Sequence, residues 1–223
     1  LTHVPTNGGL VNPAAEVGAL ARAAGVPFLL DACQSTGQLE VDVDAIGCDF
    51  LSATGRKYLR GPRGTGFLYA RESILERVRP SQPDHHGADL VASERYRWAD
   101  GAQRFEYWEY EPAGWLALGA AVEHALSWGS GRIEATVVER AAELRALLDD
   151  AGFHVFDEGV RKCGIVTLTS ADPSRTTAEE LARRLQEARV HCSLTIPGSS
   201  RYDVDRRGLP TLLRLSVHYL TTR

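Results

Sequence analysis

Three short apolar runs limit the folds open to this chain. "VPFLLDA" (26–32), "FLSAT" (50–54) and "GTGFLYAR" (64–71) each have the length of one buried strand. A helical pattern precedes the first of them. In "VNPAAEVGALARAAG", Asn12 suits an N-cap, Pro13 the first turn and Gly25 the stop. "VDVDAIGCD" reads as a short turn or helix, and "ESILERVR" as a short helix after the third run. Strands alternating with helices at this spacing predict an α/β sheet, largely parallel, whose strand ends share one edge.

Residues 80–104 are polar and aromatic with little periodicity, and read as a long surface loop. A strongly apolar helix is expected over 112–128, broken by the "GSG" at 129–131. "RIEATVVERAAELRALLDDAG" is amphipathic and ends at Gly152. Beyond it the texture changes to strand "FHVF", strand "GIVTLTS", helix "TAEELARRLQEAR", strand "VHCSLT" and strand "LLRLSVHYL". That is a small α+β unit. The chain is therefore expected to divide into a large domain, 1–128, and a small domain, 129–223.

The bulk numbers exclude several partner classes. The 223 residues are 43% hydrophobic and carry a net charge of -4, which offers no basic surface for nucleic acid or an anionic membrane. No apolar run reaches the roughly 20 residues of a membrane span. The opening "LTHVPTNGG" has neither the basic nor the apolar region of a signal peptide, so a cytoplasmic setting is expected. Cys33, Cys48, Cys163 and Cys192 form no CxxC pair and match no zinc spacing, and are expected as reduced thiols. His85 and His86 lack a third ligand at helical or strand spacing, so no metal site is expected. The chain has no Met and opens at what reads as a strand end. It is expected to be the later part of a longer protein.

The basic residues are almost all arginine. Lys57, in "TGRKYLRGPRGTGF", and Lys162 are the exceptions. Only lysine can supply an amine nucleophile, because arginine does not deprotonate usefully. Lys57 follows the strand "FLSAT", and Asp31 ends the strand "VPFLL". In a parallel sheet both lie at the carboxyl edge, where such sheets bind ligands. Gln34 shares the loop after Asp31, and Thr54, Gly55 and Arg56 lead into the lysine. Gly61 and Gly64 let the chain turn and return as a strand. An amine, a carboxylate, a hydroxyl and a guanidinium suit pyridoxal phosphate, and the Arg56 cation favours the neutral, nucleophilic amine. Taken singly, a strand-end Asp is more often a cap, and a lone Lys a solvated charge.

The stretch "FLLDACQSTGQLEVDVDAIGCDFLSATGRKYLRGPRGTGFLYAR" resembles the class V aminotransferase family of fold type I pyridoxal phosphate enzymes. That family includes cysteine desulfurases, isopenicillin N epimerase-like proteins and C–S lyases. The likeness continues through "RFEYWEYEPAGWLALGAAVEHAL" to "LLRLSVHYLTT". It implies the lysine half of a large, mostly parallel sheet domain followed by a small α+β domain. It implies that Lys57 forms the Schiff base and shuttles the proton at the substrate α-carbon. Asp31 would pair with the pyridine nitrogen, Gln34 would bond the phenolic oxygen, and Thr54 and Arg56 would contact the phosphate. Arg214 would clamp the substrate carboxylate, and His3 would border the substrate. It further implies a homodimer acting on an amino acid. The upstream phosphate-binding loop of relatives is not in this sequence, and "EYEP" lacks the threonine that desulfurases send to a partner's phosphate.

Transamination, epimerisation and C–S cleavage share their early steps, so the resemblance leaves the reaction open. Two alternatives stand beside it. Cys192 in "VHCSLT" could accept sulfur, as in a cysteine desulfurase, although a strand cysteine is more often inert packing. A truncated, non-catalytic relative could serve as a subunit, although the intact Lys57, Asp31, Gln34 and Arg214 argue against decay.

Overall fold

The computed structural model describes residues 1–222. They form two compact units. The first holds Leu1–His3, Pro13–Thr36 and Val41–Ser127; the second holds Val4–Asn12, Gly37–Glu40 and the chain from Trp128 onward. Two short segments from early in the sequence thus belong with the later unit, which no composition change in the sequence marks.

In the first unit, α1 (Ala14–Ala23) has Pro13 at the N-cap position, one residue after the Asn12 expected there. Its end follows expectation. Gly25 adopts φ +66°, its N–H bonds Arg22 O at 3.1 Å, and Val26 N–H bonds Ala21 O at 3.0 Å. These two bonds satisfy the last carbonyls of the helix in a Schellman turn. β1 (Leu29–Asp31) follows. Asp42 caps α2 (Val43–Ile46), accepting from Asp44 N and Ala45 N at 2.8 and 3.0 Å. α1 approaches α2 through Gly18, where a Cβ would overlap the Ile46 carbonyl.

β2 (Phe50–Thr54) pairs parallel with β1, with Asp31 opposite Ser52. β3 (Gly66–Ala70) pairs with β2 in the antiparallel sense, Thr54 opposite Gly66. The expectation of a largely parallel sheet is thus corrected at β3. Residues 55–65 carry no helix, and a parallel return needs a longer crossover. Leu30, Ala32, Leu51, Ala53 and Phe28 form the core with Ala14, Ile46 and Cys48.

Residues 80–104 are not a plain loop. β4 (Ala88–Ala92) and β5 (Arg95–Trp98) make an antiparallel hairpin. Its cross-strand and same-face pairs hold it: Tyr96 meets Trp98 edge to face at 5.1 Å, and Arg97 bonds Asp89 at 3.1 Å. Arginine at alternate positions hides the period-2 pattern from a hydrophobicity reading. "ESILERVR" yields only a 3₁₀ turn over Glu72–Ile74. α3 (Pro112–Trp128) matches the expected helix.

The second unit packs α4 (Ser130–Asp150) and α5 (Ala178–Glu187) against a four-stranded antiparallel sheet. Its strands are β6 (His154–Val155), β7 (Ile165–Thr169), β8 (Ser193–Thr195) and β9 (Leu212–Ser216), in the order β6-β7-β9-β8. Every residue of β7 is buried, the two threonines included. Thr177 caps α5 by accepting from Glu180 N at 3.2 Å. A π-helical turn spans Arg201–Asp205. No helix among the described residues is long and apolar enough to cross a membrane.

Candidate active site

The first unit holds six of the expected residues, His3, Asp31, Gln34, Thr54, Arg56 and Lys57. Asp31 is the last residue of β1 and Thr54 the last of β2. The two strands run parallel, so both residues leave the sheet at its carboxyl end. Asp31 Oδ1 accepts the Cys33 N–H at 3.0 Å, which turns the chain out of the strand and fixes the carboxylate. On its other side Asp31 N–H bonds Leu1 O at 2.8 Å, and its carbonyl accepts His3 N–H at 2.9 Å. His3 is thereby held beside Asp31, and it is buried. Gln34 is buried in the same turn.

Lys57 sits half-buried on the loop that joins β2 to β3. The loop is closed by its own backbone: Gly55 N–H bonds Thr65 O at 2.8 Å, Arg60 N–H bonds Lys57 O at 2.8 Å, and Gly61 N–H bonds Gly55 O at 2.7 Å. Tyr58 and Leu59 are buried and anchor it. Arg60 takes φ +63°, the left-handed conformation that such a tight closure requires of it. Gly55 lies against Thr65 and Leu118, and a Cβ there would overlap the Thr65 hydroxyl. Thr54 Oγ1 donates to Thr65 O at 3.4 Å. Lys57 thus rides on a constrained loop, the condition for aiming an amine.

The Cys33 thiol reports on the charges gathered here. Its pKa is raised, first by burial and then by a hydrogen bond to Asp31 and the Asp31 charge, while Lys57 and Arg56 pull it down. Asp31, Lys57 and Arg56 therefore all lie within electrostatic reach of one sulfur. Arg56 is exposed. Arg214 belongs to the second unit, on β9, where its Nε donates to Thr6 O at 2.7 Å.

Sequence reasoning expects Cys33 only as a reduced thiol and passes over Thr65. Cys33 stands two residues after a strand-end Asp, the spacing of an Asx turn, and that was the available signal. Thr65 had none, since its role depends on the antiparallel return of β3. Cys192 precedes β8 and packs against the core beside α5. His86 Nε2 meets Glu106 Oε2 at 2.9 Å and packs edge-on to Trp108. No group of three or more His, Cys, Asp or Glu among the described residues could hold a metal ion.

The four thiols divide by burial. Cys48 and Cys163 are buried, Cys33 and Cys192 half-buried. Burial pushes Cys163 from an ordinary 9.0 up to about 11. A thiol reagent is expected to label Cys33 and Cys192 in the native protein and the other two only after unfolding. The unfolded chain releases the Cys163 proton first, so stability falls as pH rises from 9 towards 11. Native labelling of Cys163 at the rate of Cys33 contradicts this.

The family model described as Aminotransferase class-V matches residues 1–223. A probable cysteine desulfurase of Methanothermobacter thermautotrophicus is 30% identical over 227 residues, covering 100% of this chain and 56% of that protein. The apo structure of a cysteine desulfurase from Thermococcus onnurineus superposes with a TM-score of 0.89 at 24% identity, over 99% of this chain and 55% of the other. A variant of C-DES with glycine covalently linked to its PLP cofactor superposes with a TM-score of 0.81 at 24% identity, over 100% of this chain and 56% of the other. The chain thus spans about half the length of these relatives.

Proposed function

The chain belongs to the class V aminotransferase family, and from that premise we propose that it carries the lysine-bearing part of an enzyme that transforms an amino acid at its α-carbon. Pyridoxal 5′-phosphate is the cofactor, and when bound it supplies an electron sink for negative charge at that carbon. The donor set fits this group. The observation that carries the reading is the placement of Asp31 and the Lys57 loop beyond the carboxyl ends of adjacent parallel strands.

Each residue then has a defined task. Lys57 would hold the cofactor through its amine and would move the proton at the substrate α-carbon. Asp31, oriented by Cys33 N–H, balances a protonated ring nitrogen. Gln34 would bond the phenolic oxygen, and Thr54 and Arg56 would hold the phosphate. His3 borders the substrate, and Arg214 grips its carboxylate with a planar fork. A homodimer is part of the proposal: Tyr107, Trp108, Tyr110, Trp115 and Leu116 are exposed, which suits burial against a second copy. Cys192 is not assigned as a sulfur acceptor, because it packs against the core beside α5.

The test is borohydride reduction of the protein mixed with pyridoxal phosphate, followed by peptide mapping. A stable label is expected on Lys57 and none on Lys162. Label on Lys162 alone, or none at all, overturns the reading.

A further inference from the structure

The second unit contains a cavity of about 660 Å³ that none of the candidate active-site residues lines. This is within the range of small-molecule sites, about 300–1,000 Å³. Its floor is Pro5, Gly8 and Leu10, and the π-helical turn Arg201–Asp205 forms part of its wall. Three arginines line it, and they are not equivalent. Arg207 is fully engaged: it pairs with Asp203 at 2.8 Å and Glu158 at 3.2 Å and donates to Phe156 O at 3.1 Å. This one guanidinium is shared between the two carboxylates of the lining. The side chains of Arg201 and Arg206 have no hydrogen-bond or ion-pair partner among the described residues. The Ser200 hydroxyl and the Tyr202 ring lie beside them.

Thr6, whose carbonyl accepts Arg214 Nε at 2.7 Å, follows directly on Pro5 of the lining. Asn7 Oδ1 accepts the Thr195 hydroxyl at 3.3 Å, so this segment is fixed to β8 as well as β9. Arg214 is thus bonded to the segment that continues into the cavity lining.

We propose that this cavity receives the distal carboxylate of an extended acidic amino-acid substrate, held by Arg201 and Arg206. The proposal rests on the amino-acid reading above and narrows it to substrates with a second acidic group. The two carboxylates offset two of the three guanidiniums, so the lining keeps one net positive charge, and the guanidiniums without an ion-pair partner are those of Arg201 and Arg206.

Binding of glutarate, measured by calorimetry, tests it without turnover. Wild-type protein is expected to bind glutarate, and valerate, of the same length with one carboxylate, at least about tenfold more weakly, since a charge-assisted bond is worth about 1.5–3 kcal/mol. Arg201→Gln/Arg206→Gln is expected to lower glutarate affinity by at least about tenfold on the same basis. Both side chains are exposed and unpartnered, so the melting temperature should not move. Arg175→Gln, an exposed site elsewhere in this unit, should leave affinity unchanged. Undetectable wild-type binding, an unaltered double variant, or equal weakening in Arg175→Gln overturns the proposal. Lys57→Ala should bind glutarate as wild type does. An absent Lys57 label with intact glutarate binding therefore overturns only the cofactor reading, and the reverse result overturns only the cavity.

Discussion

Lys57→Ala is expected to abolish both the yellow absorbance of the protein mixed with pyridoxal phosphate and its borohydride-fixed label. Turnover of an amino-acid substrate should fall at least about 10³-fold, since positioned proton transfer alone contributes about 10²–10⁴. No other lysine is available in this sheet: Lys162 bridges Leu10 in the other unit. Asp31→Asn separates the two roles at the edge. The amide keeps an oxygen to accept Cys33 N–H, so the turn survives. The charge that balances the ring nitrogen does not. Asp31→Asn should therefore keep the Lys57 label while losing about 10²-fold or more in rate. Equal label and equal turnover in wild type and Lys57→Ala would remove the lysine from the chemistry. Loss of label in Asp31→Asn would assign Asp31 to folding of the loop instead.

The residues on which this rests were legible in sequence for a physical reason. A lysine in an arginine-rich chain and an aspartate at the end of an apolar run are local signals, and both survive without knowledge of packing. So do α3, whose 112–128 limits come from Pro112 and the glycines that follow Trp128, and the Gly25 stop of α1. What the sequence does not carry is pairing. Nothing local says that β3 returns antiparallel, and the closure of the Lys57 loop through Thr65 follows only from that return. The β4–β5 hairpin is hidden because Arg95 and Arg97 occupy alternate positions that would otherwise be read for hydrophobicity. Arg214 illustrates the remaining gap. Its strand is evident, but its bond to Thr6 joins residues 208 apart in sequence.

The largest stability effect is expected at a residue with no role in the proposed chemistry. Asp157 has a fully buried side chain, and Arg145 beside it is 14% exposed. Asp157 Oδ1 accepts from Gly9 N at 3.1 Å, Thr167 N at 3.0 Å and Thr167 Oγ1 at 2.7 Å, while Oδ2 takes Arg145 Nε at 2.9 Å. Arg145 also donates to the carbonyls of Cys163 and Ile165 at 2.9 and 2.7 Å. One carboxylate thus ties α4, β7 and the early segment around Gly9 together. Asp157→Ala leaves a buried guanidinium without its counter-charge and three donors without an acceptor. Breaking a buried pair from one side costs about 3–5 kcal/mol, a fall in melting temperature on the order of 10 °C. The surface pair Glu180–Arg183 carries the same charges, and Glu180 sits as low as about 2 because Arg183 and Arg184 donate to it. Exposed pairs contribute little, so Glu180→Ala should produce no comparable shift. Thermal melts of the two variants decide the matter. Equal melting temperatures would mean that Asp157 is compensated by water or by relaxation of the Gly9 segment, and that burial at this site does not set its energy.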